Sequence, residues 1–284
     1  MVRYDPGMAR GFLLILILSA LCASSAAASD YPPPDYTERS DRSARDFVEW
    51  VRLLGHDAWA VASAPARMGR NDWIAVGATA AIFAVLYNND EEIHRWAVRN
   101  NDSGVLGAIT DIGDKIEVFG LMGETGRWYA LGMVTGYTFR WEKLERVTTD
   151  ILFSHLVGGL ISEATQQVFD RSRPHENQGA YNYGDGGTSL PSGHSTTIFE
   201  LATVLAHHFP QWWSQTAFYG LASTVVVQRF SGDQHWASDA FLGAALGYGV
   251  ARVIVKTNDR RGYLVGPVFE ASTGRIGVAL QGNF

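Results

Sequence analysis

Residues 188 to 209 read TSLPSGHSTTIFELATVLAHHF, and how this stretch is read decides the fold. The run from Ile198 onward spaces its apolar side chains for a helix, so Ser192, Gly193 and His194 stand where that helix begins. The first amides of a helix have no partners inside it, and the helix dipole adds partial positive charge at that end. A helix start of this kind is a seat for an anion. The plain alternative is an N-cap followed by a turn, since Pro and Ser are ordinary in both roles. The rest of the chain has to choose between them.

The chain has 284 residues, with 46% hydrophobic and 18% charged, a length for one sizeable domain and a composition that is neither disordered nor fibrous. Its first residues are built like an export signal. Arg3 and Arg10 precede the apolar FLLILILSALC, and small residues at Ala26 and Ala28 offer a cleavage point after Ala28. Lipid anchoring at Cys22 is the rival, opposed by the bulk of Leu21. Cys22 is the only cysteine, so after cleavage the chain has no disulfide, no thiolate chemistry and no cysteine metal site. The net charge of −6 and the lack of a basic run exclude nucleic acid as a partner.

Residues 29–45 (SDYPPPDYTERSDRSAR) read as a flexible, proline-rich linker. From 46 to 258 helical patterns dominate, over 45–62, 73–88, 104–122, 127–141, 147–169, 194–209, 212–229 and 236–256. Turn chemistry separates them at NNDEE (88–92) and in the long, Gly- and Tyr-rich NQGAYNYGDGGTSLPSG (177–193). The tail, 259–284, alternates on both sides of Ser272–Thr273–Gly274 and predicts a β-hairpin packed on the helical body. The fold class is therefore all-α, a multi-helix bundle with a short C-terminal β-hairpin.

Membrane contact is the next question. WIAVGATAAIFAVLY (73–87) is uncharged but shorter than the roughly 20 residues of a span, and the mean hydropathy of −0.04 is low for lipid-embedded helices. Trp73, Trp128, Trp141, Trp212 and Trp213, however, mark the ends of apolar runs as interfacial aromatics do. Membrane association is the expectation, with a soluble exported protein as the alternative.

Two more polar clusters complete the chemistry. One is QQVFDRSRP, ending at Arg173–Pro174; the other is QRFSGDQHWASD, holding Arg229, His235 and Asp239. Up-and-down packing puts the end of 147–169, the start of 194–209, the end of 212–229 and the start of 236–256 at one end of the bundle. Arg173, Ser192–Gly193–His194, Arg229 and His235 then converge on a phosphate-sized oxyanion. His235 and Asp239, four residues apart, share a helix face if both lie in one helix, and a carboxylate on one ring N–H frees the other nitrogen to attack. No third ligand stands at helical spacing from that pair, so no metal and no cofactor are expected. His56, His94, His155, His175, His207 and His208 are assigned to ordinary polar packing.

The order Arg173–Pro174, Pro191–Ser192–Gly193–His194, then Arg229 with His235 and Asp239 resembles the three-part signature of the type 2 phosphatidic acid phosphatase and vanadium haloperoxidase superfamily. The resemblance covers roughly residues 140 to 256. It implies a helical bundle and metal-independent hydrolysis of phosphate monoesters through a phosphohistidine. The substrates would be lipid phosphates, polyprenyl diphosphates or small phosphate esters. It implies His235 as nucleophile, His194 as acid and then base, Asp239 as the group orienting His235, and Gln166, Arg173, Ser192, Gly193 and Arg229 as the phosphate grip. It also implies an active site on the periplasmic side of a cell envelope, with oligomeric state left open. Two positions depart from the pattern: Gln166 stands where the family has lysine, and Gln228 where it has serine. Arg171 is the candidate to supply the missing charge. The rivals are a catalytically weakened or inactive relative and, against the grain of Gln166, a vanadate-dependent haloperoxidase.

Overall fold

The computed structural model describes residues 43–45, 47–261, 264–270 and 275–281. The expected signal (1–28) and all of the linker but its last three residues lie outside the described residues. Eight α-helices carry the described chain: α1 (Phe47–Ala62), α2 (Arg70–Asn100), α3 (Gly104–Ile116), α4 (Met122–Thr138), α5 (Glu142–Phe169), α6 (Gly193–His208), α7 (Trp212–Ser231) and α8 (Ala237–Arg261).

Helix α6 is the centre of the bundle, packed by α5, α7, α8 and a short 3-10 turn, Glu117–Gly120. Ile198, Phe199 and Ala202 of α6 meet Val225 and Phe230 of α7 and Ala240 of α8 in one buried cluster. Each fully buried side chain of the larger kind contributes roughly 1.5–3 kcal/mol over its exposed state. The contact with α8 is close because Gly243 and Gly247 present bare backbone to it. A Cβ at those positions would come within 2.4 Å of the Ser192 oxygen and 2.1 Å of the Thr196 oxygen. Helix α8 therefore presses directly on the first turn of α6, where the PSGH motif lies.

Helix α2 differs most from expectation. NNDEE is not a loop; α2 runs through it to Asn100. Asn88 and Asn89 donate to the carbonyls of Ala84 and Val85 at 2.6 and 2.7 Å, and Glu91 pairs with Arg95 one turn later at 3.5 Å. Polar side chains that bond within the helix, with neither Gly nor Pro among them, continue it. The inward stripe is Phe83, Leu86, Asp90, Ile93 and Ala97, a helical spacing that passes straight through the acidic run. The expected helix 104–122 stops at Ile116 and gives way to the 3-10 turn, while α4 and α5 each begin about five residues before their expected starts.

The tail is not the lone hairpin expected. Strands β2 (Leu264–Glu270) and β3 (Arg275–Gln281) pair antiparallel, and β1 (Ser43–Arg45), the last residues of the expected linker, pairs along the other edge of β3. The result is a three-stranded sheet, β1–β3–β2. It lies against α1, α4 and α5.

Candidate active site

Helix α5 ends at Phe169 because Asp170 takes the left-handed conformation (φ 52°) and returns its N–H to the Gln166 carbonyl at 2.8 Å. The chain then folds back on itself. Ser189 N–H donates to the Arg171 carbonyl and Ser172 N–H to the Asn182 carbonyl, at 3.0 and 3.1 Å. This pairing folds the Gly- and Tyr-rich loop onto the bundle. Tyr87 of α2 holds it there, through the Tyr183 hydroxyl on its own hydroxyl (2.9 Å) and the Tyr181 hydroxyl on its carbonyl (3.2 Å).

Pro174 opens a single 3-10 turn, whose Glu176 accepts the Arg173 N–H at 3.0 Å. The Arg173 side chain donates through Nη2 to the Thr188 carbonyl at 3.4 Å and lies near enough to His194, in the first turn of α6, to act on its ring. Ser192 caps that helix, its Oγ accepting from Ser195 N–H. The Ser192 amide is spent on the Asp239 carbonyl at 3.0 Å, so the amides left at the helix start are those of Gly193 and His194. Gln166 reaches the same loop and donates to the Pro191 carbonyl at 2.8 Å. Arg229, at the end of α7, donates through Nη1 to Glu117 of the 3-10 turn at 2.9 Å. Its neighbour Gln228 donates to Asp114 at 2.7 Å. Both site arginines keep a buried Nε–H with no partner, on Arg173 and on Arg229. The two arginines lie near enough to repel one another, and two unsatisfied charged donors so placed fit an oxyanion.

His235 is fully buried and its Nδ1 lies 2.8 Å from the Ser189 carbonyl. A carbonyl only accepts, so Nδ1 carries the proton and Nε2 presents its lone pair. Burial, then the charges of Arg173 and Arg229, hold this ring well below the usual histidine range. His194 is brought down to about 4 by burial, Arg229 and Arg173. The three blocks thus feel one another's charge, as convergence requires.

Two sequence expectations fail here. No hydrogen bond joins Asp239 to His235. The helix begins at Ala237, after His235, so the two do not share a helical face. Asp239 instead accepts from the Ser189 hydroxyl at 2.6 Å and from Arg171. Burial raises its carboxyl to about 6 against the pull of Arg171. Nor does Arg171 replace the missing lysine. Its side chain is fully buried and all five N–H groups are committed, to Ala180, Asp90, Ser238 and Asp239. Asp90, Glu117 and Ser189 were not singled out from sequence. For Asp90 a signal existed, its place on the apolar stripe of α2. Five of the other histidines have polar partners: His155 on Glu200 (2.8 Å), His208 on Asp150 (2.7 Å), His207 on Asp259 (2.8 Å), His94 on Asp233 (3.3 Å) and His175 on the Asp233 carbonyl (3.0 Å); His56 is exposed on α1.

Residues 148–263 match the model of the PAP2 superfamily. Over this stretch, less than half of its length, the chain is similar to the PAP2 superfamily. It is 30% identical over 167 residues to a lipid A 1-phosphatase of Porphyromonas gingivalis, a match that takes in 52% of this chain and 35% of that protein. The match thus spans about a third of the length of this curated relative. The fold is shared with the transmembrane PAP2 type phosphatidylglycerolphosphate phosphatase from Bacillus subtilis, at TM-score 0.50 and 16% identity over 64% of this chain and 95% of that one. LpxE of Aquifex aeolicus aligns at TM-score 0.43 and 20% identity over 59% and 94%. The PAP2 match begins inside α5 and includes every residue of the three polar blocks; α2 and Glu117 lie outside it.

Proposed function

We propose that the chain is a metal-independent phosphatase that hydrolyses lipid phosphate monoesters through a phosphohistidine in a bacterial-type cell envelope. One observation carries this reading: Arg173 and Arg229, each with a buried, unpartnered Nε–H, lie near enough to depress the ring of His235, whose Nδ1 is held by a carbonyl. The phosphoryl oxygens are gripped by the two arginines, the amides of Gly193 and His194, the Ser192 hydroxyl and the remaining N–H of Gln166. Nε2 of His235 attacks phosphorus and the bond to the leaving oxygen breaks, His194 supplying that oxygen with its proton. His194 then takes a proton from water, the water oxygen attacks phosphorus, the P–N bond breaks, and phosphate leaves with His235 restored. The amide-like donor of Gln166 contributes less to the developing charge than a lysine would.

A lipid substrate is favoured by two things. The curated relative is named for a lipid phosphate. Large apolar side chains are also exposed beside the site, at Phe119, Leu121, Val168 and Phe169, and at Phe139, Trp141, Trp212 and Trp213 on the bundle's opposite end. Among the described residues one helical stretch, Ala237–Asp259, is long and apolar enough to cross a membrane, and 61% of its apolar window is buried in the bundle.

The test is His235→Ala, assayed with chelator on lipid phosphates and on an aryl phosphate. Turnover should fall on the order of a thousandfold or more, while orthovanadate still binds. Near-native turnover by the variant would remove the phosphohistidine.

A further inference from the structure

We propose that Asp90, on α2 and outside the PAP2 match, is a positioning residue that sets His235 for attack through Arg171, Asp239 and Ser189. The proposal rests on the phosphatase reading above. Asp90 is fully buried. Its Oδ1 accepts the Ser238 N–H at 2.9 Å, and its Oδ2 accepts the Ser238 hydroxyl and Arg171 Nη2, the latter at 2.8 Å. Arg171 Nη1 passes the connection to Asp239, whose other oxygen accepts the Ser189 hydroxyl at 2.6 Å. The Ser189 carbonyl then holds Nδ1 of His235 at 2.8 Å. Asp90 is thus bonded at once to the first turn of α8 and to Arg171, whose carbonyl accepts the N–H of Ser189, the residue that holds the histidine.

Fastening α8 does not by itself explain Asp90. A residue kept only for that needs no more than an acceptor for Ser238, whereas Asp90 also holds the Arg171 guanidinium, which in turn holds Asp239. Burial raises both carboxyls against the pull of Arg171, so the cluster depends on these bonds and not on solvent.

Partners at one remove from a reacting group commonly change activity by 10- to 100-fold. Asp90→Asn keeps the shape and an acceptor for Ser238 N–H but removes the charge. The measurements are kcat on an aryl phosphate, the Kd for orthovanadate and the melting temperature, on the full chain. The expected result is a kcat loss within that range, with the vanadate Kd within about threefold of the parent because the grip residues are untouched. Ser238→Ala is measured beside it, since it removes the hydroxyl linking Asp90 to Arg171 without stranding a buried charge. It should lower kcat several-fold in the same pattern, and it decides the matter if Asp90→Asn does not fold. An active parent with unchanged kcat in the variants overturns the proposal alone, as does a fall in kcat matched by equal loss of vanadate binding. A parent silent on every ester overturns the phosphatase reading and this proposal with it.

Discussion

His194 has a titration tied to its place in the site. Burial and two arginines hold its folded value at about 4, below the 6.5 or so of an unfolded histidine. The fold therefore prefers the neutral ring: the stability this contributes is complete above about pH 6.5 and is lost as pH falls towards 4. An anion seated between Arg173 and Arg229 cancels the charges that depress the ring, so binding should draw a proton onto it within that window. Calorimetric titration of orthovanadate at about pH 5.5, in two buffers of unequal ionisation enthalpy, should register proton uptake, and His194→Asn should abolish it. Uptake that survives in the variant would place the proton elsewhere.

What the sequence made legible at this scale was that Arg173, His194, Arg229 and His235 come near one another, because arginine, histidine and helix-start chemistry leave motifs. The link from Asp239 to His235 was misread, since i,i+4 adjacency holds only inside a helix and α8 starts two residues after the histidine. Glu117 reached Arg229 from a distant segment that no spacing rule connects to it.

At the scale of elements, the proposed seat for the anion depends on how closely α8 can approach α6. Gly243→Ala would set a methyl within 2.4 Å of the Ser192 oxygen, a backbone atom that cannot swing aside. Overpacking of this kind costs about 1–3 kcal/mol. Thermal melts should show that loss of stability, and kcat/KM should fall as well, because the displaced carbonyl belongs to Ser192, whose hydroxyl is assigned to the proposed phosphate grip. Gly249→Ala, on the same helix with open space around its added Cβ, should leave activity unchanged. Helix existence was legible throughout from apolar spacing. The continuation of α2 was not, because NNDEE has the composition of a turn and only its side-chain bonding reveals a helix.

For the whole molecule, the exposed aromatics bear on where the proposed enzyme works. Trp212 is 78% and Trp213 61% exposed at the start of α7, and such rings favour the boundary between lipid and water. Replacing both with serine should lower binding to anionic phospholipid vesicles several-fold in a co-sedimentation assay. Turnover of a soluble aryl phosphate should stay near the parent value. Equal sedimentation of parent and variant would detach these rings from membrane contact. The all-helical body was legible from sequence, since periodicity needs no tertiary information. The third strand was not, because Ser43–Arg45 pairs with residues more than 230 positions away.

The unbroken course of α2 also restricts how the gene can vary in length. An inserted residue between Leu86 and Asp90 would turn everything downstream by about 100°, swinging Asp90 off the inward face while Leu86 stays anchored. The asparagine pair at 88–89 has the solvent-facing, polar look of a site open to insertions and deletions, yet there the register admits none. Length changes are better absorbed at residues 101–103, beyond the last turn.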